Sequence, residues 1–260
     1  SWSNSRPRPS PSHWKRTLNR AMTRKLRSMD TDLPTPDTVL LVNPNTNGDT
    51  TTMMVDLAEE TLAAHGLRVV GITAAAGPSM IVDPVSLSES EVHVRNAVNG
   101  YLSGPDGGRV AAVIVAAIGD PGRAQLDDEL DIPVIGIGQG SVYAAAQNSH
   151  GGLRHFGMAT STPLLVEALG KLVADHGFQE HFTGVRLTLS EPLVLAADPE
   201  RQFQELAQAV TEATATDNTE AVIIAGGPLS ATARRLAETT AVDIIQPIPS
   251  ACRLVLAALS

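Results

Sequence analysis

The order of strand-like and helix-like segments repeats once along the chain, and this duplication limits the possible folds more than any other feature. The segments VIVAAIGDPG and DIPVIGIG of the first half correspond to VIIAGGPLS and VDIIQPIP of the second, and LLVNPNT corresponds to FGMATSTP. The strand-like segments are residues 39–42, 67–73, 111–117 and 132–137, then 156–159, 185–189, 221–224 and 242–245. The helix-like segments are residues 50–65, 88–102, 121–130 and 141–148, then 164–177, 199–215, a short segment after 228, and 250–259.

Strands that alternate with helices predict parallel sheets covered on both faces, and hence an α/β fold. Ligands of such sheets bind beyond the carboxyl ends of the strands. We therefore expect two similar halves that face each other across a cleft, with the turns NPNT, GDPG, TSTP and AGGP opening into it.

The charge distribution separates an N-terminal segment from the rest of the chain. Residues 1–29 contain eight Arg or Lys and no acidic residue, which leaves 11 basic against 28 acidic residues further on. Residues 1–35 are predicted to be a disordered basic extension, with a transit peptide or a nucleic-acid-binding arm as alternatives. The acidic remainder is not expected to bind nucleic acid, because phosphate contacts need a basic face.

Neither a membrane span nor a disulfide is expected. The longest apolar run, residues 110–118, has nine residues, against about 18 for a membrane helix. The single cysteine, Cys252, excludes an intramolecular disulfide and a cysteine-based metal site. We expect a cytoplasmic protein in which Cys252 is a small buried residue.

Two equivalent turns predict binding of a small polar molecule. Residues 43–47 (NPNTN) and 160–163 (TSTP) each follow a strand and precede a helix. Asn and Thr cap helices, and the free backbone N–H groups of a first helical turn attract anions. The turns are therefore either ordinary caps or two sides of a site for a small carboxylate or cyclic amide. In the second case the substrate-binding residues include Asn43, Asn45, Thr46 and Thr160.

Two glycine-rich turns complete the predicted cleft. In residues 119–122 (GDPG), Asp120 either caps the following helix or points into the cleft as an acid, base or acceptor. Residues 225–228 (AGGP) let backbone approach a ligand closely, because glycine has no side chain. The histidines lack metal-ligand spacing, and residues 136–141 (GIGQGS) lack the last glycine and the acidic partner of a dinucleotide site. Neither a metal nor a cofactor is expected.

These motifs, in this order, resemble the Asp/Glu/hydantoin racemase family, and within it the hydantoin/allantoin racemase branch. The resemblance covers residues 39–259 and includes the terminal DIIQPIPSACRLVLAAL. It implies two Rossmann-like domains related by a pseudo-twofold, with the active site between them. It also implies a crossover that returns the last helix to the first domain, which gives domain 1 as residues 36–134 plus 244–260 and domain 2 as residues 135–243. Oligomers are common among enzymes of this kind, so the resemblance is compatible with a homo-oligomer.

The same resemblance makes the absence of two cysteines informative. Members of the family racemise without a cofactor, usually with one thiolate that removes the α-proton and a second thiol that donates from the opposite face. The resemblance places these cysteines at Ala117 and Gly226, neither of which ionises, and Cys252 aligns with neither. We therefore expect the family's cleft with a cysteine-free site.

The predicted function is that of a cofactor-independent racemase or isomerase. It would act beside a carbonyl or carboxylate of a small amino-acid derivative or cyclic amide. A non-catalytic ligand-binding descendant and a decarboxylase or lyase are the alternatives. The acid and base candidates are Asp120, Ser161 and Thr162, together with Thr46, and less directly Asp83 and Glu191; a carboxylate base needs a pKa raised by burial. The other predicted substrate contacts are Ala117, Ile118, Gly119, Gly226, Gly227 and Pro228.

Overall fold

Two four-stranded parallel sheets form the protein in a computed structural model that describes residues 35–216 and 218–260. The first sheet has the order β2-β1-β3-β4 and the second β6-β5-β7-β8, so adding four to each strand number converts one into the other. The strands are β1 (Thr38–Asn43), β2 (Arg68–Thr73), β3 (Val110–Val115), β4 (Val134–Gly136), β5 (Phe156–Thr160), β6 (Phe182–Leu187), β7 (Ala221–Ile224) and β8 (Asp243–Ile245). The predicted duplication and the α/β fold class are confirmed. Apart from Thr35, the predicted extension at residues 1–35 lies outside the described residues.

Helices follow the strands along the chain. They are α1 (Gly48–Leu62), α2 (Pro84–Leu102), α3 (Arg123–Glu129), α4 (Ile137–Ala146), α5 (Val166–Asp175), α6 (Pro192–Ala196), α7 (Pro199–Thr216), α8 (Ser230–Thr239) and α9 (Pro247–Leu259). They connect consecutive strands within each sheet, except that α4 joins the two sheets and α9 follows the last strand. Among the described residues, no helix is both long and apolar enough to cross a membrane.

Burial explains which strands lie at the centre of each sheet. The strands β1, β3, β5 and β7 are buried along their whole length, because helices cover both faces. The edge strands β2 and β6 are partly exposed. Helices pack on both sides of each sheet and bury its apolar side chains in separate clusters. The four central strands therefore form a rigid base for the turns that follow them.

Several element boundaries differ from the predicted ones. Helix α2 begins at Pro84 instead of residue 88, because Asp83 caps it in a reciprocal pair with Ser86 and proline occupies the first turn. The strand β6 begins three residues before the predicted start at 185, and the short helix α6 was not predicted. The edge strand and the five-residue helix carry weak periodic signals, which accounts for both differences.

The last helix of each half packs on the other half. After β4, helix α4 buries Val142 and Ala145 against Phe156 of the second sheet. After β8, helix α9 buries Cys252 against Val39 of the first sheet, together with Ile248, Ala251 and Val255. Cys252 is fully buried, so the prediction of a small buried residue is confirmed, and this burial raises the pKa of its thiol to about 12.

The predicted domain boundaries lie close to these crossovers. The strands β4 and β8 continue to Gly136 and Ile245, each two residues past the predicted limits at 134 and 243, because the chain leaves each sheet only where the next helix starts. The division of the chain into two domains at those limits stays a prediction.

Helices α4 and α9 touch through their backbones at Gly140. A Cβ atom at this position would lie 2.7 Å from both the Cα and the backbone nitrogen of Ala251. Since backbone atoms cannot swing aside as a flexible side chain can, glycine is required for this crossing.

Replacing this glycine tests the importance of the crossing. We expect Gly140→Ala to lower the free energy of unfolding by about 1–3 kcal/mol, because the methyl group separates α4 from α9. The matched control is Gly170→Ala in α5, where a Cβ meets nothing within 4 Å. There the better helix propensity of alanine should raise stability by about 0.5–1 kcal/mol. Urea denaturation of both variants measures the difference, and equal effects would contradict the close crossing.

Candidate active site

A cavity lies between the carboxyl edges of the two sheets. The turns after β1, β3, β5 and β7 all reach it, as predicted from the duplicated pattern. The cavity has a volume of about 50 Å³, which is room for a few water molecules. The cavity therefore suits a small molecule. Its lining consists of Asn45, Met80, Ile81, Leu87, Ala116, Ala117, Ile118, Gly119, Thr160, Ser161, Thr162, Leu165, Pro192, Gln202, Ala225, Gly226, Gly227, Pro228 and Leu229.

Most of the predicted site residues are brought together here. Ten of them line the cavity: Asn45, Ala117, Ile118, Gly119, Thr160, Ser161, Thr162, Gly226, Gly227 and Pro228. The two positions at which the family resemblance places cysteines, Ala117 and Gly226, line the same space. The lining contains no acidic, basic, histidine, cysteine or tyrosine side chain. No lining side chain can therefore remove a proton from carbon at neutral pH.

The turn after β1 presents one amide group to the cavity. The Asn45 Oδ1 accepts hydrogen bonds from the Asn47 backbone N–H and from Asn43 Nδ2, both at 2.9 Å. A backbone N–H can only donate, so the Asn45 side-chain atom that faces the Asn47 N–H must be the amide oxygen, and the other atom is Nδ2. The Asn45 Nδ2 has no hydrogen-bond partner within the described part of the chain. A free N–H donor of Asn45 is thus available at the cavity wall.

Two predicted binding residues of this turn do not reach the cavity. The Asn43 side chain is fully buried, and the two N–H groups of its amide are shared among three acceptors, which are Asn45 Oδ1, the Asn47 carbonyl and Thr51 Oγ1. Asn43 closes the turn and cannot at the same time bind a ligand. The Thr46 backbone N–H donates to the Pro78 carbonyl at 3.0 Å, which ties the turn to the segment after β2. Neither Asn43 nor Thr46 lines the cavity, so their assignment as substrate contacts stays a prediction without support from the cavity geometry.

A hydroxyl group of the turn after β5 links this turn to the turn after β7. Thr160 Oγ1 donates to the Ala225 carbonyl at 2.7 Å and lies 3.0 Å from Thr162 Oγ1. Ser161 is 5% exposed, and its hydroxyl has no hydrogen-bond partner among the described residues. Ser161 therefore adds a second free donor to the cavity, while Thr160 keeps the walls together.

Asp120 is held outside the cavity. Its carboxylate accepts the backbone N–H groups of Gly138 at 2.8 Å and Gln139 at 2.6 Å, so it caps α4 and not the helix α3 that follows it. A Cβ at Gly136 would lie 2.0 Å from the Asp120 Cγ, which shows how closely the carboxyl group fits. The backbone of Asp120 has a φ of 50°, a left-handed conformation uncommon outside glycine. The carboxylate of Asp120 thus caps α4 where the sequence suggested α3, and Asp120 does not line the cavity; a catalytic role for it stays a prediction.

The weaker acid and base candidates are also excluded by position. Asp83 accepts the Ser86 backbone N–H at 2.8 Å as the cap of α2. Glu191 is exposed ahead of α6, and neither residue lines the cavity. No described group of three or more His, Cys, Asp or Glu side chains is placed to hold a metal ion.

Sequence analysis missed the apolar walls and one polar side chain. Met80, Ile81 and Leu87 come from the segment after β2, and Pro192 from the equivalent segment after β6. The duplication contained a signal for both segments, since β2 and β6 end at the same sheet edges as the central strands. Gln202 reaches the cavity from helix α7, and no turn motif marks it.

The environment of Asp120 predicts a pH-dependent stability. Burial raises its pKa to about 7, although the Gly138 and Gln139 N–H groups act in the opposite direction. The unfolded chain, with a pKa near 3.8, therefore loses this proton first as the pH rises. The free energy of unfolding should therefore decrease as the pH rises from 3.8 to about 7. Between pH 5.5 and pH 8 we expect wild type to lose about 2 kcal/mol more than Asp120→Asn, at about 1.4 kcal/mol per pKa unit. Urea denaturation across this range measures it, and parallel curves would contradict the assignment.

Comparison with known proteins agrees with the geometry. The Asp/Glu/hydantoin racemase family model matches residues 39–255. A hydantoin racemase of Rhizobium meliloti is 28% identical over 82% of this chain and 85% of its own length. Among solved structures, the allantoin racemase of Pseudomonas fluorescens has a TM-score of 0.76 at 21% identity, covering 85% of this chain and 89% of its own. Arylmalonate decarboxylase, in a Gly74Cys mutant, has a TM-score of 0.57 at 13% identity, covering 85% and 93%. The chain belongs to the Asp/Glu/hydantoin racemase family.

Proposed function

We propose that the cleft binds a small carboxylate or cyclic amide and that the chain acts, without a cofactor and without a thiol, on the carbon beside the carbonyl. One observation carries this proposal. Free hydrogen-bond donors from both halves, Asn45 Nδ2 and the Ser161 hydroxyl, border one cavity whose lining contains no ionisable side chain. Donors of this kind stabilise the negative charge that forms on a carbonyl oxygen.

The reaction follows from these groups. When the C–H bond beside the carbonyl breaks, its electron pair moves onto the carbonyl oxygen and the donors bind the resulting enolate. Because no lining side chain can accept the proton, water or hydroxide accepts it. Water then returns a proton to either face of the planar carbon, which interconverts the two enantiomers. The apolar walls formed by Met80, Ile81 and Leu87 strengthen the donors by excluding solvent.

This mechanism predicts a distinctive pH dependence. In deuterated water, the chain should catalyse deuterium uptake at C5 of L-5-methylhydantoin, with loss of optical rotation. The rate should rise about tenfold per pH unit, because hydroxide supplies the base. Proton NMR and polarimetry between pH 6 and pH 9 measure both quantities. A rate that levels off at an ionisation of the protein would contradict a site without a side-chain base.

Removing one donor tests the role of the cavity. We expect Ser161→Ala to lower the exchange rate by about 10²-fold, as for the loss of one donor to a developing oxyanion. Ser88→Ala, an exposed position on α2, is the matched control and should leave the rate unchanged. Equal rates for wild type and Ser161→Ala would contradict enolate stabilisation by this hydroxyl.

Loss of carbon dioxide is the second candidate reaction. It needs donors for the enolate but no base, because the departing carboxylate leaves its electron pair on carbon and the final proton can come from water. The cavity has this combination of donors and apolar walls, and the chain shares its fold with arylmalonate decarboxylase. Release of carbon dioxide from phenylmalonate, without exchange of hydantoin hydrogens, would favour it. Binding of these compounds without either reaction would identify the chain as a ligand-binding descendant.

A further inference from the structure

Gln202 presents a free N–H donor to the cavity from an element that no motif marks. It lies in the first turns of α7, is 8% exposed and lines the cavity. Its Oε1 accepts the hydroxyl of Thr232 on α8 at 2.6 Å. Among the described residues, the Gln202 Nε2 has no hydrogen-bond partner.

The free nitrogen faces open space. The fully enclosed side-chain nitrogen and oxygen atoms without a partner, within the described ranges, belong to Arg95 and Ser230. The Nε2 of Gln202 is therefore not fully enclosed, and the nearly buried Gln202 lines the cavity. Thr232 is itself 8% exposed, so the hydroxyl that orients the amide is protected from competition by water.

Gln202 repeats in the second half what Asn45 does in the first. In both amides the oxygen is occupied by a donor of the protein, from Thr232 in one case and from Asn43 and Asn47 in the other. Both therefore offer only N–H groups to a ligand. A nearly buried donor without a partner is costly, so the cavity favours a molecule with an acceptor at each of these two places.

We propose that Gln202 is a specificity-determining residue that donates its Nε2–H to a carbonyl oxygen of the bound molecule, and that Thr232 is the positioning residue that orients it. This inference rests on the proposed function, because it assumes that the ligand occupies the cleft. It adds that a ligand with two carbonyl oxygens is preferred over the same ring with one. The lining has no cation to balance charge, so a neutral carbonyl is favoured over a carboxylate as the second acceptor.

Two ring compounds isolate this contact. Hydantoin has two carbonyl groups, and 2-imidazolidinone is the same ring with one. We expect wild type to bind hydantoin about tenfold more tightly, the usual result of leaving one site donor without its partner. In Gln202→Leu the preference should disappear, through weaker binding of hydantoin, while the affinity for 2-imidazolidinone changes less than twofold. Ligand-observed NMR titration of the full chain measures the four dissociation constants.

Four further variants separate a binding role from a structural one. Gln208→Leu is the matched control on the exposed face of α7, where the amide pairs with Glu212, and should keep the tenfold preference. Thr232→Val should reduce the preference to about threefold, and Thr232→Ser should restore it, because only the hydroxyl orients Gln202. In Gln202→Leu alone, the buried Thr232 hydroxyl loses its acceptor, which could unfold the protein. The double variant Gln202→Leu with Thr232→Val removes both groups and leaves no buried polar atom without a partner. It should also show no preference.

The outcomes distinguish this inference from the proposed function. Equal preference in wild type and Gln202→Leu, with both rings bound, overturns the role of Gln202 and leaves the proposed function standing. A preference retained in Thr232→Val overturns the positioning role. If wild type binds neither ring at millimolar concentration, both the inference and the proposed binding of cyclic amides are wrong.

Discussion

The close crossing of α4 and α9 is the constraint on which the rest of the structure depends. Each of these helices leaves one sheet and packs on the other, and at Gly140 their backbones meet. This exchange joins the two halves and brings the carboxyl edges of both sheets to one cavity. Asp120 reinforces the arrangement, because it binds the first turn of α4 to the turn after β3. The tightest interactions of the site region thus serve to position its walls.

The cavity that results differs from a racemase site with thiols on both sides. At Ala117 and Gly226, where the family resemblance places the cysteines, the walls carry a methyl group and bare backbone. The polar groups are instead the Ser161 hydroxyl and the amides of Asn45 and Gln202. The oxygens of these two amides already accept hydrogen bonds from the protein, which leaves their N–H groups for a ligand. Such groups can hold a carbonyl and stabilise an enolate but cannot take up a proton. The proposed function rests on this difference between binding a carbonyl and taking up a proton.

The architecture could be predicted because its signals are strong and local. The fully buried runs in β1, β3, β5 and β7 are bounded by Asn, Gly, Thr and Pro turns, and the same order occurs twice. The start of α2 was misplaced although its signals were present, since Asp83 and Pro84 form a recognisable cap. The short helix α6 carries no periodic signal of its own, and its position depends on packing that local sequence does not encode.

The site was harder to predict because it depends on where each side chain points. Asn43 and Asn45 are two residues apart in one motif, yet one closes the turn and the other reaches the cavity. Asp120 looked like a cap for the helix that follows, whereas its partner is a helix that begins 17 residues later in the chain. Gln202 was missed because a glutamine inside a helix is ordinary until the neighbouring helix engages its oxygen. Long-range contacts of this kind decide function and leave no spacing pattern.

The most direct test of the account is a crystal structure of the protein soaked with hydantoin. We predict that the ring lies between the turns after β1 and β5, with its carbonyl oxygens within hydrogen-bond distance of Asn45 Nδ2 and the Ser161 hydroxyl. No carboxylate, histidine or thiol should contact its C5 atom. An ionisable side chain at C5, or hydantoin bound elsewhere with the cavity closed by apolar side chains, would contradict the account.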